Sequence, residues 1–486
     1  MRNKILLSAL LILSLTTRCG SDINCTDLFN DLELLYNSGN FKELALLTDS
    51  LSKNYPDSIL LIRKADSLLE ISERIRIDFP YNKEEIKSNI EKRLGRSVTE
   101  DEIATWENRR WLEYRYINGE KRYFDRAASN LMLLKIFYED KETRKRAISN
   151  DPAMLLRLKH TGEVLNDAGT STEPVLPVDM IITFTLTVEP DAIPEGETVR
   201  CWLPWPKGNH PRQKVPELIL TSNPEYIIAP DSMIHRSIYM EGKTVKGYPV
   251  VFEIKYRYQS SAQYFNPEMI KKAPYDKTSD LYKIYTSEQP PQICFTENVR
   301  RLSDSLVSPQ DDPVTTVRKI YLWFKENIPW TGALEYSLMP NIPEYVYHNR
   351  RGDCGMQTLL FISMLRYRGI PVRWQSGWMM PPGDENLHDW CEVYFEDTGW
   401  VPADISYDLQ DSDNQELREF YLSGIDSYRL IVNDGIGGSF YPEKRYMRSD
   451  PYDFQRGEVE WQGGNIYYDK WDYDMQIEYL KRSGEE

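Results

Sequence analysis

Residues 354–367, CGMQTLLFISMLRY, carry apolar side chains on every face of the helix their spacing predicts. Met356, Leu359, Leu360, Met364 and Tyr367 recur at helical intervals, and Phe361, Ile362 and Leu365 fill the remaining faces. A helix with no solvent face must be wrapped by other elements, so the rest of the fold has to be built around it. Its ends are marked in the sequence. Asp353 is placed to accept the free N–H groups of the first turn. Arg366 and Arg368 suit the negative C-terminal end, Gly369 supplies the residue after it, and Pro371 stops it. Cys354 falls on the first turn, where the positive end of the helix dipole favours a thiolate. The plainer reading is a small buried apolar residue, the common fate of a free cysteine.

The chain has 486 residues, too many for one ordinary core, so several domains are expected. Its 75 acidic residues exceed its 59 Lys and Arg, a net charge of −16 that repels phosphate and argues against a nucleic-acid partner. Residues 1–18 read as a signal peptide: Arg2 and Lys4 precede an apolar run from Ile5 to Leu15. That run is shorter than the about 20 residues a spanning helix needs. Cys19 behind it resembles the acylated cysteine of a bacterial lipoprotein, although Thr16-Thr17-Arg18 departs from the usual small residue before it. An acylated Cys19 would tether an exported chain to a membrane. Cys25, Cys201, Cys294, Cys354 and Cys391 remain, too few and scattered for a disulfide framework, and their odd number leaves at least one thiol unpaired.

The composition divides the chain into segments. Residues 25–168 are polar and helical in pattern, with a capping box at Thr99 and Glu102 opening a helix to Arg115, and another helix over Arg122–Tyr138. This segment reads as a spacer or as a partner-binding groove. Residues 172–290 read as a β-sandwich-like domain, with strand patterns at MIITFTLTV, VRCWLP, ELILTS, YPVVFEIKYRYQ and LYKIYTS. Residues 300–410 combine a helix at 312–330, the cysteine helix, strands VRWQSGWMM and HDWCEVYFE, an EDTG turn and a returning strand WVPADISY. Residues 411–486 read as a β-rich C-terminal extension, with a hairpin of Glu458–Trp461 and Asn465–Tyr468 around Gly463-Gly464. Its aromatic side chains serve packing or a binding surface. The fold class expected is a multidomain α+β protein.

A nucleophilic thiol needs a base, and the base needs an orienting group. Of five histidines, His160, His210, His235, His348 and His388, only His388 follows Cys354. On a strand His388 shares a face with Trp390 and Glu392, while Asp389 and Cys391 point the other way. The next strand returns Asp404 towards the His388 end. A two-residue turn would set Cys391 opposite Asp404, so a His388–Asp404 contact requires a longer loop, a bulge or a diagonal approach.

Residues 312–410 resemble the core of the transglutaminase-like superfamily through GDCGMQTLLFISMLRYRGIPVRWQSGW, HDWCEVYF and GWVPADIS, in that order. The resemblance implies a papain-like α+β core around a central helix, with Cys354 as nucleophile, His388 as base and Asp404 as its orienter. It also implies an oxyanion donor from an upstream side chain, for which Trp330 is the candidate beside the backbone N–H of Cys354. Arg351-Gly352-Asp353 spells an integrin-type tripeptide but leads into a buried helix. A zinc set of Cys354, His388 and Cys391 fails because His388 and Cys391 diverge on a strand. The acidic stretch at 408–416 lacks the glycine of a calcium loop.

These readings converge on an exported thiol enzyme of the bacterial cell envelope, without a cofactor or metal, acting on amide bonds of peptides or proteins. The chemistry is that of a cysteine protease or amidase, or of a transglutaminase-like acyltransferase, with hydrolysis favoured. The alternative is a catalytically silent binding or scaffold protein that keeps the fold.

Overall fold

The computed structural model describes residues 25–140, 142–143, 151–407, 409–410 and 412–480. The expected signal peptide and Cys19 lie outside them, as does the side chain of Cys25. The chain divides into two compact units, one ending at Met132 and one beginning at Leu133, within the helix Ala127–Glu139.

The first unit contains the helices Phe41–Asn54, Ile59–Asp78, Lys83–Leu94 and Glu100–Asn108. The Thr99–Glu102 capping box is formed, but its helix ends at Asn108 rather than Arg115. An antiparallel hairpin follows, β1 (Tyr114–Ile117) and β2 (Glu120–Tyr123). Asn118 and Gly119 at its tip have φ of +50° and +83°, the left-handed conformations a tight hairpin turn requires. The Asn-Gly pair thus takes residues from the helix expected over Arg122–Tyr138, which starts only at Ala127.

Among the described residues the second unit holds three sheets. Their strands are β3 (Val175–Val188), β4 (Thr198–Pro204), β5 (Glu217–Thr221), β6 (Tyr226–Ile228), β7 (Ser237–Lys243) and β8 (Val250–Tyr264). After the central helices come β9 (Val372–Met379), β10 (Asn386–Phe395), β11 (Gly399–Ala403), β12 (Gly424–Ile425) and β13 (Arg429–Asn433). The last are β14 (Glu458–Trp461), β15 (Gly464–Ile466) and β16 (Trp471–Tyr479). One sheet has the order β12-β8-β3-β16 with β5 also on β8, and a second has β15-β14-β4-β7-β6. Phe184, Trp202, Trp205, Met240, Phe252 and Trp471 belong to one buried core shared by these two sheets, as a sandwich requires. The third sheet, β11-β10-β9-β13, carries the cysteine helix.

One expectation is corrected. LYKIYTS is not a strand: Asp280–Tyr285 is a helix, because the Ser279 hydroxyl caps it by accepting the N–H of Tyr282. Residues 411–486, read as a β-rich extension, supply strands to the sheets of the second unit. β16 runs antiparallel to β3, β14 to β4, and β13 to β9, so the C-terminal strands complete all three sheets. The hairpin at Glu458 is present, with Trp461 opposite Gly464.

The cysteine helix spans Cys354–Tyr367, and Gly355 through Arg366 are all buried. The Asp353 side chain accepts the N–H of Met356 at 2.9 Å. At the other end Gly369 has φ of +74°, and the N–H of Ile370 reaches the carbonyl of Leu365, a left-handed helix stop.

Candidate active site

The site is assembled where the cysteine helix begins against β10. Along that strand, Asp389 pairs with Ser376 and Cys391 with Trp374 on the face towards the helix, while His388 opposite Gly377 and Trp390 opposite Gln375 occupy the other face. On β11 the register sets Cys391 opposite Ala403, so Asp404 continues on the His388 face. Phe395 pairs with Gly399, leaving a three-residue loop of Glu396, Asp397 and Thr398, with Asp397 at φ of +60°. That third residue moves the register by one. Asp404 then approaches His388 diagonally, as the longer-loop alternative requires.

His388 Nε2 lies 2.7 Å from Asp404 Oδ2, and both side chains are buried. With Asp404 on Nε2, Nδ1 is the ring nitrogen left for a thiol. Ser406 Oγ lies 3.4 Å from Nε2 and donates to Asp404 Oδ1 at 2.9 Å. Tyr407 stacks on the imidazole with ring centroids 4.9 Å apart. Behind Asp404 stands Arg429, fully buried, with Nη1 2.9 Å from Asp404 Oδ2 and Nη2 2.9 Å from Asp426 Oδ2. Lys325 Nζ donates to the carbonyls of Ile405 and Tyr407 and pins the segment just after Asp404. Burial opposes ionisation of Asp404, yet His388 and Arg429 hold its carboxyl far below the usual range. Burial also lowers the pKa of His388, and it outweighs the raising effect of Asp404. Burial thus disfavours the imidazolium, and the Asp404 carboxylate holds the ring in one orientation.

Cys354 is placed differently from the expectation. Its Sγ donates to Asp389 Oδ2 at 3.2 Å, and among the described residues it has no hydrogen bond to His388. Burial, then the carboxyls of Asp389 and Asp353, push its thiol pKa well above the ordinary value. The helix-end dipole expected to favour a thiolate is overridden by burial and then by two acidic neighbours. In this arrangement the thiol is hydrogen bonded to Asp389, the residue next to His388 on β10.

Trp330 is 46 % exposed and forms a bridge with Gly352, two residues before Cys354. It lines a cavity of about 180 Å³ together with Leu133, Phe137, Ile328, Gln357 and Ser406. The cavity thus reaches from the oxyanion candidate to the hydroxyl beside His388. Cys391 is buried on the Ala403 carbonyl and, like Cys201, Cys294 and Cys354, is a free thiol. His388 and Cys391 lie on opposite faces of β10, as the zinc argument anticipated.

The stretch from α-helical Glu297 to Ile405 contains Trp330, Cys354, His388 and Asp404, and residues 300–405 match the transglutaminase-like superfamily. Residues 300–405 are a transglutaminase-like domain. A protein of Bacillus subtilis, the uncharacterised YebA, is 24 % identical to the chain over 191 residues, covering 34 % of the chain and 26 % of YebA. The chain thus spans about a quarter of the length of that curated relative. A solved structure of a candidate cysteine protease from Cytophaga hutchinsonii is 11 % identical, with a TM-score of 0.44, over 64 % of this chain and 93 % of its own. The periplasmic domain of TgpA from Pseudomonas aeruginosa is 15 % identical, with a TM-score of 0.26, over 53 % of this chain and 92 % of its own. These are distant resemblances.

Three residues that hold the transglutaminase-like site together have no counterpart in the sequence expectations. Arg429 arrives from beyond the matched segment on β13, Ser406 follows Asp404 by two, and Asp389 occupies the position between His388 and Trp390. From the sequence Asp389 has only a strand face, opposite to that of His388. Its alternation to the helix face was already readable from the strand, and that face holds Cys354.

Proposed function

We propose that the chain is a thiol enzyme that acts on amide bonds of peptides or proteins through Cys354, His388 and Asp404. The observation that carries the reading is the buried His388–Asp404 pair, backed by Arg429, in the same transglutaminase-like domain as a cysteine at a helix start. A structural ion pair has no need of an imidazole whose remaining nitrogen is left for a thiol.

The steps follow from the neutral pair. Cys354 turns from Asp389 to His388, and Nδ1 takes the thiol proton as sulfur attacks the amide carbonyl. The backbone N–H of Cys354 and the Trp330 indole are the donors assigned to the developing oxyanion. The imidazolium then protonates the leaving amine, and a thioester remains on Cys354. Water, activated by His388, releases the acid, and an amine in its place gives transfer instead. Hydrolysis is favoured. No cofactor enters these steps. The signal-like residues 1–18 and Cys19 support export and a lipid anchor in a bacterial envelope. Among the described residues no helix is long and apolar enough to cross a membrane.

One observation favours the second reading, a catalytically silent scaffold: the sulfur is hydrogen bonded to Asp389 and not to His388. Iodoacetamide labelling of the folded chain, followed at the Cys354 peptide by mass spectrometry with half-exposed Cys294 as internal reference, separates the two. Under the enzyme reading, His388→Ala slows labelling of Cys354 about tenfold or more near neutral pH and leaves Cys294 unchanged. Cleavage of fluorescent casein by wild type but not by Cys354→Ala identifies hydrolysis. Labelling indifferent to His388→Ala would leave the scaffold reading standing.

A further inference from the structure

Cys354 is hydrogen bonded to a group the proposed steps do not use. Asp389 and Asp453 are 2 % and 3 % exposed, and Ser376, which pairs with Asp389 across β9 and β10, donates its hydroxyl to Asp453, so the two carboxyls are buried around one side chain. Two buried carboxyls that act on each other disfavour a second negative charge, which favours one proton kept between them. Asp389 also accepts the Cys354 thiol and, at 2.8 Å, the amide of Gln455, while Asp453 accepts from Ser376 and, at 3.1 Å, from Asn433.

The surroundings supply acid rather than base. Asp353 at the helix start is tied to Tyr336 Oη at 2.7 Å, and Asp450 accepts the backbone N–H of Asp453. His388, adjacent on β10, faces the other way. The cations of this region have other partners. Arg448 donates to the backbone carbonyls of Gly438 and Asp453, and its Nε lies 3.6 Å from Glu458. Lys444 Nζ is 3.6 Å from Glu460 and 3.8 Å from Glu458. Among the described residues neither Asp389 nor Asp453 forms an ion pair, so the shared proton is what keeps the pair at a single negative charge.

We propose that Asp389, sharing one proton with Asp453, is a pH-dependent brake on the Cys354 thiol. With the proton in place, the pair carries one negative charge, centred on Asp453 among its donors, and the thiol can leave for His388. When the proton goes to solvent, a carboxylate faces the sulfur directly and holds its S–H. Burial, then Asp453 and Asp353, move Asp389 well above the ordinary carboxyl range, which places this loss of the proton on the alkaline side of that range. The backbone N–H of Asp389 also favours the thiolate, so removing the carboxyl alone leaves a helpful donor behind.

This rests on Cys354 being the working thiol, but it is measured without substrate and without altering His388. The labelling rate of Cys354 by iodoacetamide is followed from pH 5 to pH 9 in wild type, Asp389→Asn and Asp453→Asn, with Cys294 as reference. An unbraked thiol below its pKa gains about tenfold per pH unit. Wild type is expected to fall short of that slope over the range where the pair loses its proton. Asp389→Asn is expected to follow the full slope and to exceed wild type about tenfold at pH 8. Asp453→Asn keeps the carboxyl on sulfur but removes its like-charged neighbour, and the shortfall moves to lower pH. If Asp389→Asn fails to fold, the displacement in Asp453→Asn carries the test. Profiles of the folded variants that superimpose on wild type would overturn the brake, whatever His388→Ala does.

Discussion

Replacing Arg429 with methionine is expected to destabilise the second unit by about 3–5 kcal/mol and to abolish any His388-dependent reactivity of Cys354. The guanidinium has no exposed surface, and it lies between two buried carboxylates, 2.9 Å from Asp404 and 2.9 Å from Asp426. It also lies over the rings of Tyr407 and Trp390, at 4.7 Å and 5.4 Å from their centroids. Methionine fills much of the volume and none of the charge. Two carboxylates would then be left to repel each other out of water, which costs far more than the original pair contributed. Urea melts measure the loss. Its pH dependence has a definite sign. Arg429 holds Asp404 far down and Asp426 at about 2, so their stabilisation is present above the unfolded carboxyl pKa of about 4 and disappears as pH falls through the folded values. The gap between wild type and Arg429→Met therefore narrows below pH 4. A gap constant from pH 7 to pH 2 would mean that packing, and not charge, is what Arg429 supplies.

The second large effect is expected at Gly377, on β9 between His388 on one neighbour and Ile431 on the other. A Cβ there would sit 1.9 Å from the carbonyl oxygen of Leu430 and 3.0 Å from the nitrogen of Val432. Both are backbone atoms, so no rotamer change can clear them, and β13 itself must move. Arg429 begins that strand and cannot keep its two ion pairs if the strand shifts. Gly377→Ala is expected to cost upwards of about 3 kcal/mol, beyond ordinary overpacking, and to leave little folded protein at 37 °C. Gly162 is the control. It lies inside the helix Pro152–Ala168 with nothing within 4 Å of an added Cβ, so Gly162→Ala should stabilise by about 0.5–1 kcal/mol. Thermal melts of the two variants should move in opposite directions. A melting point for Gly377→Ala equal to wild type would show that β13 can shift freely.

Neighbours in sequence account for most of what was legible. The cysteine helix, its Asp353 cap and its Gly369 stop follow from side chains within a turn of each other, and so do β3, β9 and β10 with their alternation. The errors were also local. The Ser279 cap turned an aromatic run into a helix, and Asn118-Gly119 turned the start of a helix into a hairpin. In both cases a short polar signal outweighed the apolar pattern beside it.

The sequence alone determined that a fully apolar helix headed by Asp353-Cys354 had to be central, and that His388 shares a face with Trp390 while Asp389 takes the other. Those are consequences of helical and strand periodicity, which every residue carries with it. Only the tertiary structure decided what fills each face. A third loop residue brought Asp404 to His388, β13 brought Arg429 behind it, and the C-terminal loop brought Asp453 to Asp389. Asp389 became the partner of Cys354 because burial and like charge, set by residues distant in the chain, outweigh the dipole of the helix that Cys354 begins.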